Sequence, residues 1–500
     1  MKKKFVSLMF ACVLGISLMG CGKTPTDSKA SGDKDSKEEP YTVTFVMRGT
    51  AQADEERIEE KVNAILEKEL NAKMDLVVLP WGSAEQQLKL MLSGDEKIDF
   101  FYSSPTDAMQ YVNAGQIVDM TELAEKYGTN LKEIFGMDIL KTNTVDGFLY
   151  GVPAQIERGA IPAVYMRKDL VEKYNIDVSA IKEPKDMEKV YEIVKAGEPD
   201  MTMLYSEAGD TDSPLNRLNS VDGLGDVSSG VLMNPLEDTT VENYYESDWY
   251  METATMLHDW YERGYINKDA ATNTEGWRTM LKAGNVFSTF YIYHPATPIE
   301  FSSTTGYEYE MVKFEDYAIK KSDAYSSIIF AIAQNSENPD KAMQVLDYIY
   351  GSPEVMNLLN WGEEGTDYQI IDQENDIIDY PEGLSADTVG YSLNLGWELP
   401  NQFIAHSWNG SEPGIWKQVE AFNDEAKDSK ALGFIFDNKG LETQIANVSN
   451  VVKQYDGPIS SGSVDPKEYI PQFLDALEAA GINDLISAKQ EQLNEWLSGK

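Results

Sequence analysis

The side chains best suited to nucleophilic or metal chemistry are scarce in this 500-residue chain: two cysteines, Cys12 and Cys21, and three histidines, His258, His294 and His406. The histidines lie too far apart in sequence for a local zinc motif, and no Gly-x-Ser-x-Gly elbow or phosphate-binding loop occurs. The glycines between Gly223 and Gly230 lack the dinucleotide-binding spacing, and no apolar strand precedes them. Acidic pairs such as Glu55-Glu56 and Glu363-Glu364 are expected in a chain with 84 Asp and Glu residues, and they read as solvated faces. A glycosidase needs two carboxylates at a set distance in space, which order along the chain does not supply. No catalytic constellation, metal site or cofactor site is therefore expected. There remains a chemistry of recognition, in which aromatic faces lie beside hydroxyls, as at Trp81 and at Tyr102-Ser103-Ser104. Such a pairing suits a sugar, whose ring has an apolar C–H face and an edge of donors and acceptors.

The N-terminus carries Lys2, Lys3 and Lys4, then an apolar run over residues 5–18, then Leu18-Met19-Gly20-Cys21. A basic start, an apolar run too short to span a bilayer as a mature helix and small residues before a cut site describe a secretory signal over residues 1–20. The ending resembles the lipobox of bacterial lipoproteins, in which the cysteine thiol receives a diacylglyceryl group and becomes the new N-terminus. Lipidation of Cys21 would leave the mature domain without a thiol for a disulfide, and would hold it outside the cytoplasm on the extracellular face of the membrane. Residues 22–40 are polar and should form a disordered tether, completing a segment 21–40 that reaches roughly 25 Å from the surface. Loss of the three signal lysines takes the formal charge from −42 to −45, a field that repels nucleic acid.

The elements that position the aromatic groups begin at Tyr41. A β-rich run over 41–47, a helical stripe over 53–70, a strand over 75–79, a helix over 83–93 and a strand over 98–102 alternate at the spacing of right-handed crossovers. This predicts an open, largely parallel α/β sheet, in which ligands are met beyond the carboxyl ends of the strands. Trp81, Tyr102 and Ser104 stand at those ends, although Trp81 fits equally well as a cap over the core. Further on, residues 206–230 read as a surface loop, and the dense aromatic group over 244–265 reads as core. Trp277 comes after a loop, at a position from which it can face a cleft. A strand over 286–293 carries Tyr291 and Tyr293. Trp397 and Trp408 lie in a loop rich in Gly and Asn, where such rings cover either a core or a ligand.

Several passages resemble the extracellular solute-binding proteins of ABC importers. Met91-Leu-Ser-Gly-Asp-Glu-Lys-Ile-Asp-Phe100 is similar to that family's SGD-x-x-x-D passage. Gly147-Phe-Leu-Tyr-Gly-Val-Pro153 followed by Val164-Tyr-Met-Arg-Lys-Asp-Leu170 is similar to its crossing between lobes, and Ser352-Pro353-Glu354 to a turn after a helix. Trp361-Gly-Glu-Glu-Gly-Thr-Asp-Tyr368, Gly433-Phe-Ile-Phe-Asp437 and Gly462-Ser-Val-Asp-Pro466 resemble a subgroup of lipoproteins related to LplA, with the C-terminal domain called DUF3502. Trp361 departs from that pattern, which usually has a smaller residue there.

The resemblance implies an α/β fold of two lobes, of the periplasmic-binding-protein type (type II), with hinge crossings and an added helical C-terminal region. Residues 41–158 and about 315–338 are assigned to the first lobe, 159–314 and about 339–420 to the second, and about 421–500 to the C-terminal region. It also implies that the strand over 286–293 ends beside the ligand, favouring Tyr291, Tyr293 and His294. The candidate ligand-binding residues are thus Trp81, Tyr102, Ser104, Tyr150, Gln155, Trp277, Tyr291, Tyr293, Trp361, Trp397 and Trp408. The expected function is capture of a carbohydrate, an oligosaccharide above all, and its delivery to an ABC permease by a lipid-anchored monomer without catalysis. A secreted glycoside-active enzyme and a peptide receptor are the alternatives.

Overall fold

The structure, a computed structural model, describes residues 39–499 apart from 95, 207–212, 274–275 and 387. The signal, Cys21 and nearly all of the tether lie outside the described residues. Residues 40–500 form one unit.

Strand β1 (Tyr41–Gly49) carries a run of apolar residues, and Val43, Phe45, Val46 and Met47 are all fully buried. Burial on both faces is what a central parallel strand requires. Helix α1 (Glu55–Leu70) buries Ile58, Val62 and Leu66, one turn apart, and ends at Asn71 in the left-handed conformation. Strand β2 (Ala72–Pro80) returns parallel to β1, with Phe45 opposite Leu76. Helix α2 (Ala84–Ser93) then leads to β3 (Phe100–Ser103), which pairs parallel to β1 on its other edge. Helix α3 (Pro105–Asn113) starts at once, because Ser104 caps it by accepting the backbone N–H of residue 107 and Pro105 supplies a first residue that needs no donor.

The sheet of the first lobe is completed from a distance. Strand Ile329–Ile332 lies antiparallel beside β3, and Val152–Pro153 antiparallel beside that strand. Strand Ile329–Ile332 falls within about 315–338, the return segment assigned from the sequence to the first lobe. Just ahead of Val152–Pro153 in the chain, Asp146 and Gly147 (φ 52° and 83°) make the tight turn of a separate hairpin pairing Thr144–Val145 with Phe148–Leu149.

The second lobe is built on a sheet ordered Tyr309–Lys313, Ile161–Arg167, Val286–Tyr293, Thr202–Leu204. Its core gathers Tyr191, Tyr244, Tyr250, Trp260, Phe287 and Phe290, so the aromatic group expected to be core does serve as core.

Three assignments made from the sequence are corrected by packing. Helices Pro339–Gly351 and Pro353–Trp361, placed with the second lobe, bury Leu346, Ile349, Tyr350 and Leu359 in the core of the first, where Tyr391, Leu393 and Leu399 join them. Residues 213–230, read as surface loop, contain helix Pro214–Leu218 and the buried Leu215, Leu218, Val221 and Leu224. Their Gly and Ser content is local turn chemistry around a buried apolar thread. The stretch 469–497, whose amphipathic spacing reads as one helix, is two helices, Pro466–Ala480 and Ile482–Gly499, divided by Gly481 at φ 99°.

The C-terminal helices are also less separate than an added region would be. Val448, Ile459, Ile470, Phe473, Leu477 and Leu485 belong to the core of the second lobe, and Tyr250 donates to Asp456 at 2.8 Å. Among the described residues no helix is long and apolar enough to cross a membrane.

Candidate functional site

Three parallel strands end side by side in the first lobe, and the residues at and just beyond their carboxyl ends form an aromatic shelf. Arg48 is the penultimate residue of β1, Trp81 comes directly after β2, and Tyr102 lies near the end of β3. Trp397, in the one-turn helix Gly396–Glu398, reaches the same place from more than three hundred residues away. Its ring and that of Trp81 are stacked with centroids 5.9 Å apart and planes 21° apart. The Arg48 guanidinium carbon sits 4.2 Å from the Tyr102 ring centroid, 5.1 Å from Trp81 and 6.0 Å from Trp397. A cation among three rings holds them by their quadrupoles.

Arg48 is itself held by Glu398, whose Oε1 accepts the Nε N–H at 2.9 Å and a second bond from Nη2. The Glu398 side chain is wholly buried, its Oε2 finds no donor among the described residues, and burial pushes its carboxyl above the usual range while Arg48 pulls it down. Trp81 remains 45% exposed, the most accessible ring of the group. The shelf therefore offers an open indole face of no net charge, backed by a neutralised ion pair.

The other sequence candidates divide by burial. Tyr102 lines the shelf at 7% exposure, and burial raises its phenol. Ser104 is engaged in capping α3. Tyr150 is completely buried in the outer core of the first lobe, and Trp277 is 5% exposed, stacked on Phe301 at 4.4 Å with Tyr291 at 5.1 Å. Both are structural in this arrangement, because the helix Trp277–Lys282 turns the indole inward instead of toward a cleft. The indole N–H of Trp277 finds no acceptor among the described residues. Trp361 is also core, its N–H donated to the His406 carbonyl at 3.2 Å and its ring stacked on Trp408 at 5.0 Å. Trp408 is half-buried between Trp361 and Tyr380.

Gln155 stands on the first passage between the lobes. Its backbone pairs with that of Pro400 and Gln402, and its Oε1 accepts from Arg158 at 3.1 Å. Tyr291 and Tyr293 are half-buried on the second lobe, with Arg217 4.4 Å from the first ring and Lys313 4.9 Å from the second. His294 is buried, with Nε2 4.0 Å from Glu300. Surrounding chain raises the carboxyls of Glu300 and Asp323 and lowers the amine of Lys321, while the Glu300 side chain keeps 45% of its surface accessible.

Sequence reasoning missed Arg48, Glu398 and Arg158. Arg48 could have been found as a lone charge at the carboxyl end of an apolar parallel strand. Glu398 had no comparable signal, since its partner is 350 residues away. Among the described residues no group of three or more His, Cys, Asp or Glu side chains could hold a metal ion.

Comparison with known proteins gives this geometry a context. The profile of a family described as bacterial extracellular solute-binding protein matches residues 50–356, and that of a domain of unknown function, DUF3502, matches residues 430–498. A carbohydrate ABC transporter substrate-binding protein of Streptococcus pneumoniae is 26% identical over 505 residues, covering 97% of this chain and 96% of its own. The crystal structure of the N-glycan transport solute binding protein NgtS of S. pneumoniae aligns with a TM-score of 0.81 at 25% identity, over 92% of this chain and 99% of its own. Its complex with Man5GlcNAc aligns at 0.76 and 25% identity, over 92% and 99%. The S. pneumoniae protein FusA in complex with kestose shares the fold at a TM-score of 0.64 and 16% identity, over 92% and 100%.

Proposed function

The chain belongs to the bacterial extracellular solute-binding protein family, and from that premise we propose that it captures an oligosaccharide outside the cytoplasm and delivers it to an ABC permease. The observation that carries this reading is the shelf at the ends of β1, β2 and β3, where Trp81 presents an indole face over Arg48 and beside Trp397. A sugar ring laid on that face buries its C–H surface, and its hydroxyls meet polar groups at the rim. The relatives support the same chemistry, since two of them carry carbohydrate or N-glycan transport in their names.

The mechanism is lobe closure on the ligand. The first lobe supplies the shelf, Tyr291, Tyr293 and the polar groups around Lys321 and Asp323 complete the grip from the other side, and the closed form is what the permease reads. The ligand leaves unaltered, with no covalent step. The anchor is a diacylglyceryl group on Cys21, and the mature protein acts as a monomer tethered to the outer face of the membrane.

The test is a thermal-shift and calorimetric screen of the full chain against neutral mono- and oligosaccharides, with the sugars recovered afterwards and sized. The expected result is saturable stabilisation by an oligosaccharide that is recovered intact. Shortened sugars would overturn the reading in favour of a glycoside-active enzyme, and stabilisation by peptides alone would favour a peptide receptor.

A further inference from the structure

Three passages of chain join the lobes: residues 154–160, residues 318–326, and the stretch between Trp408, stacked on Trp361 of the first lobe, and helix Ile415–Glu425, which packs on Ala296 of the second. The chain beyond the third one laces the other two together. Asn423, buried near the end of helix Ile415–Glu425, accepts the N–H of Arg158 on Oδ1 at 2.7 Å and donates to the carbonyl of Ile156 from Nδ2 at 3.0 Å, as a neighbouring strand would. Residues 427–433 then run along the return passage, with the N–H groups of Lys427, Ser429 and Gly433 donating to the carbonyls of Ala318, Lys320 and Ser322, each at 2.9 Å.

The next three side chains divide between two bodies. Phe434 packs with Leu232 and Leu493, and Phe436 lies against the same cluster of the second lobe and C-terminal helices. Ile435 packs the other way, against the outer core of the first lobe, where Val145 and Phe148 of the hairpin also pack. Gly433 makes the approach possible. It adopts φ 85°, and a Cβ there would stand 3.2 Å from Thr142 of the first lobe.

We propose that residues 423–436 form a brace across the hinge, through which the C-terminal region sets the balance between lobe arrangements, with Ile435 as the contact that changes when the lobes rotate. Hinge motion is absorbed by a few backbone angles in the passages. The bonds from Asn423 and from residues 427–433 fix two of those passages to one body. Phe434 and Phe436 belong to that body, yet Ile435, between them, is seated on the other. A rigid rotation keeps the neighbours of the phenylalanines and alters those of Ile435. Its contact is therefore part of the free-energy difference between arrangements, and it gives the matched domain of unknown function a role in setting affinity without touching the ligand.

The test uses the full chain with Cys12→Ser and Cys21→Ser, leaving two introduced thiols as labels. These are Leu90→Cys on α2 and Ile193→Cys on helix Met187–Gly197, positions 67% and 48% exposed. Single-molecule energy transfer then reads the distance between lobes without ligand. Ile435→Ala is expected to shift the ratio of distance populations by about three- to tenfold while leaving the end-point distances in place, and Ile435→Val to shift it less in the same direction. The dissociation constant of whichever sugar the screen identifies should change by the factor that the binding-competent fraction changes. Unaltered populations in both variants, or a lower melting temperature with unaltered populations, would overturn the brace. Because the distances are read without ligand, failure of the sugar reading would leave this result standing, and failure of the brace would leave sugar binding to the shelf untouched.

Discussion

Replacing Arg48 by Met should expose how far the shelf depends on one ion pair. Methionine keeps most of the volume between Trp81, Tyr102 and Trp397 but removes the cation bonded to Glu398, a side chain with no solvent exposure and a second oxygen without a donor among the described residues. Breaking a buried pair by removing one partner costs about 3–5 kcal/mol, and because the Arg48 side chain is 29% exposed the lower side applies, about 2–3 kcal/mol near neutral pH. The pH dependence has a definite sign. Burial raises the Glu398 carboxyl, and loss of Arg48 raises it further. A raised carboxyl favours the fold below its unfolded value of about 4.3 and loses that benefit as pH rises through the folded value. The deficit of the Arg48→Met variant should therefore be full near neutrality and shrink toward about pH 4 as the orphaned carboxyl takes up a proton. Urea unfolding followed by tryptophan fluorescence at several pH values reads this directly. Adding Glu398→Gln removes the stranded charge, so the double variant should recover about 1–2 kcal/mol relative to additivity. A deficit that stays constant with pH, or a cycle with no coupling, would refute the claim that a buried charge is held there.

Trp81→Ala should weaken oligosaccharide binding roughly tenfold with little loss of stability, because the ring is nearly half exposed. Trp361→Ala, at 5% exposure, should instead cost about 3–5 kcal/mol of stability, and titration of the folded fraction should show the same affinity as the parent. Cys21→Ser should abolish incorporation of labelled palmitate and release the protein from the membrane, as fractionation would show. Lys489→Met should change the alkaline stability profile. The buried ammonium donates to the carbonyls of Gly223, Asp226 and Gly230 at 2.9–3.2 Å, and burial lowers its pKa to about 8. Between that value and the ordinary lysine value of about 10.4 the unfolded chain binds more protons, so parent stability should rise with pH across the window, while the Met variant lacks that rise in a calorimetric series.

The order of β1, α1, β2, α2 and β3 was legible from the chain alone, since hydrophobic period and turn residues are local signals and the elements of the first lobe obey them. The same local logic put Trp81 and Tyr102 at strand ends, and the motif passages pointed to the family that the comparison then matched. The aromatic candidates were harder, because a ring contributes the same apolar signal whether it faces a ligand or a core. Trp277 and Tyr150 went inward for that reason, and Trp361 closed on Trp408 to make a satellite core.

Local pattern determined the alternation of strands and helices from β1 to β3 and where the open end of that sheet lies. Tertiary structure alone decided that Glu398 neutralises Arg48, that helices Pro339–Gly351 and Pro353–Trp361 serve the first lobe, and that Asn423 and Ile435 reach back across the hinge. The physical reason is range. Helical and strand periods repeat within a few residues, whereas a buried ion pair 350 residues apart, or a side chain between two bodies, exists only once distant surfaces have packed together.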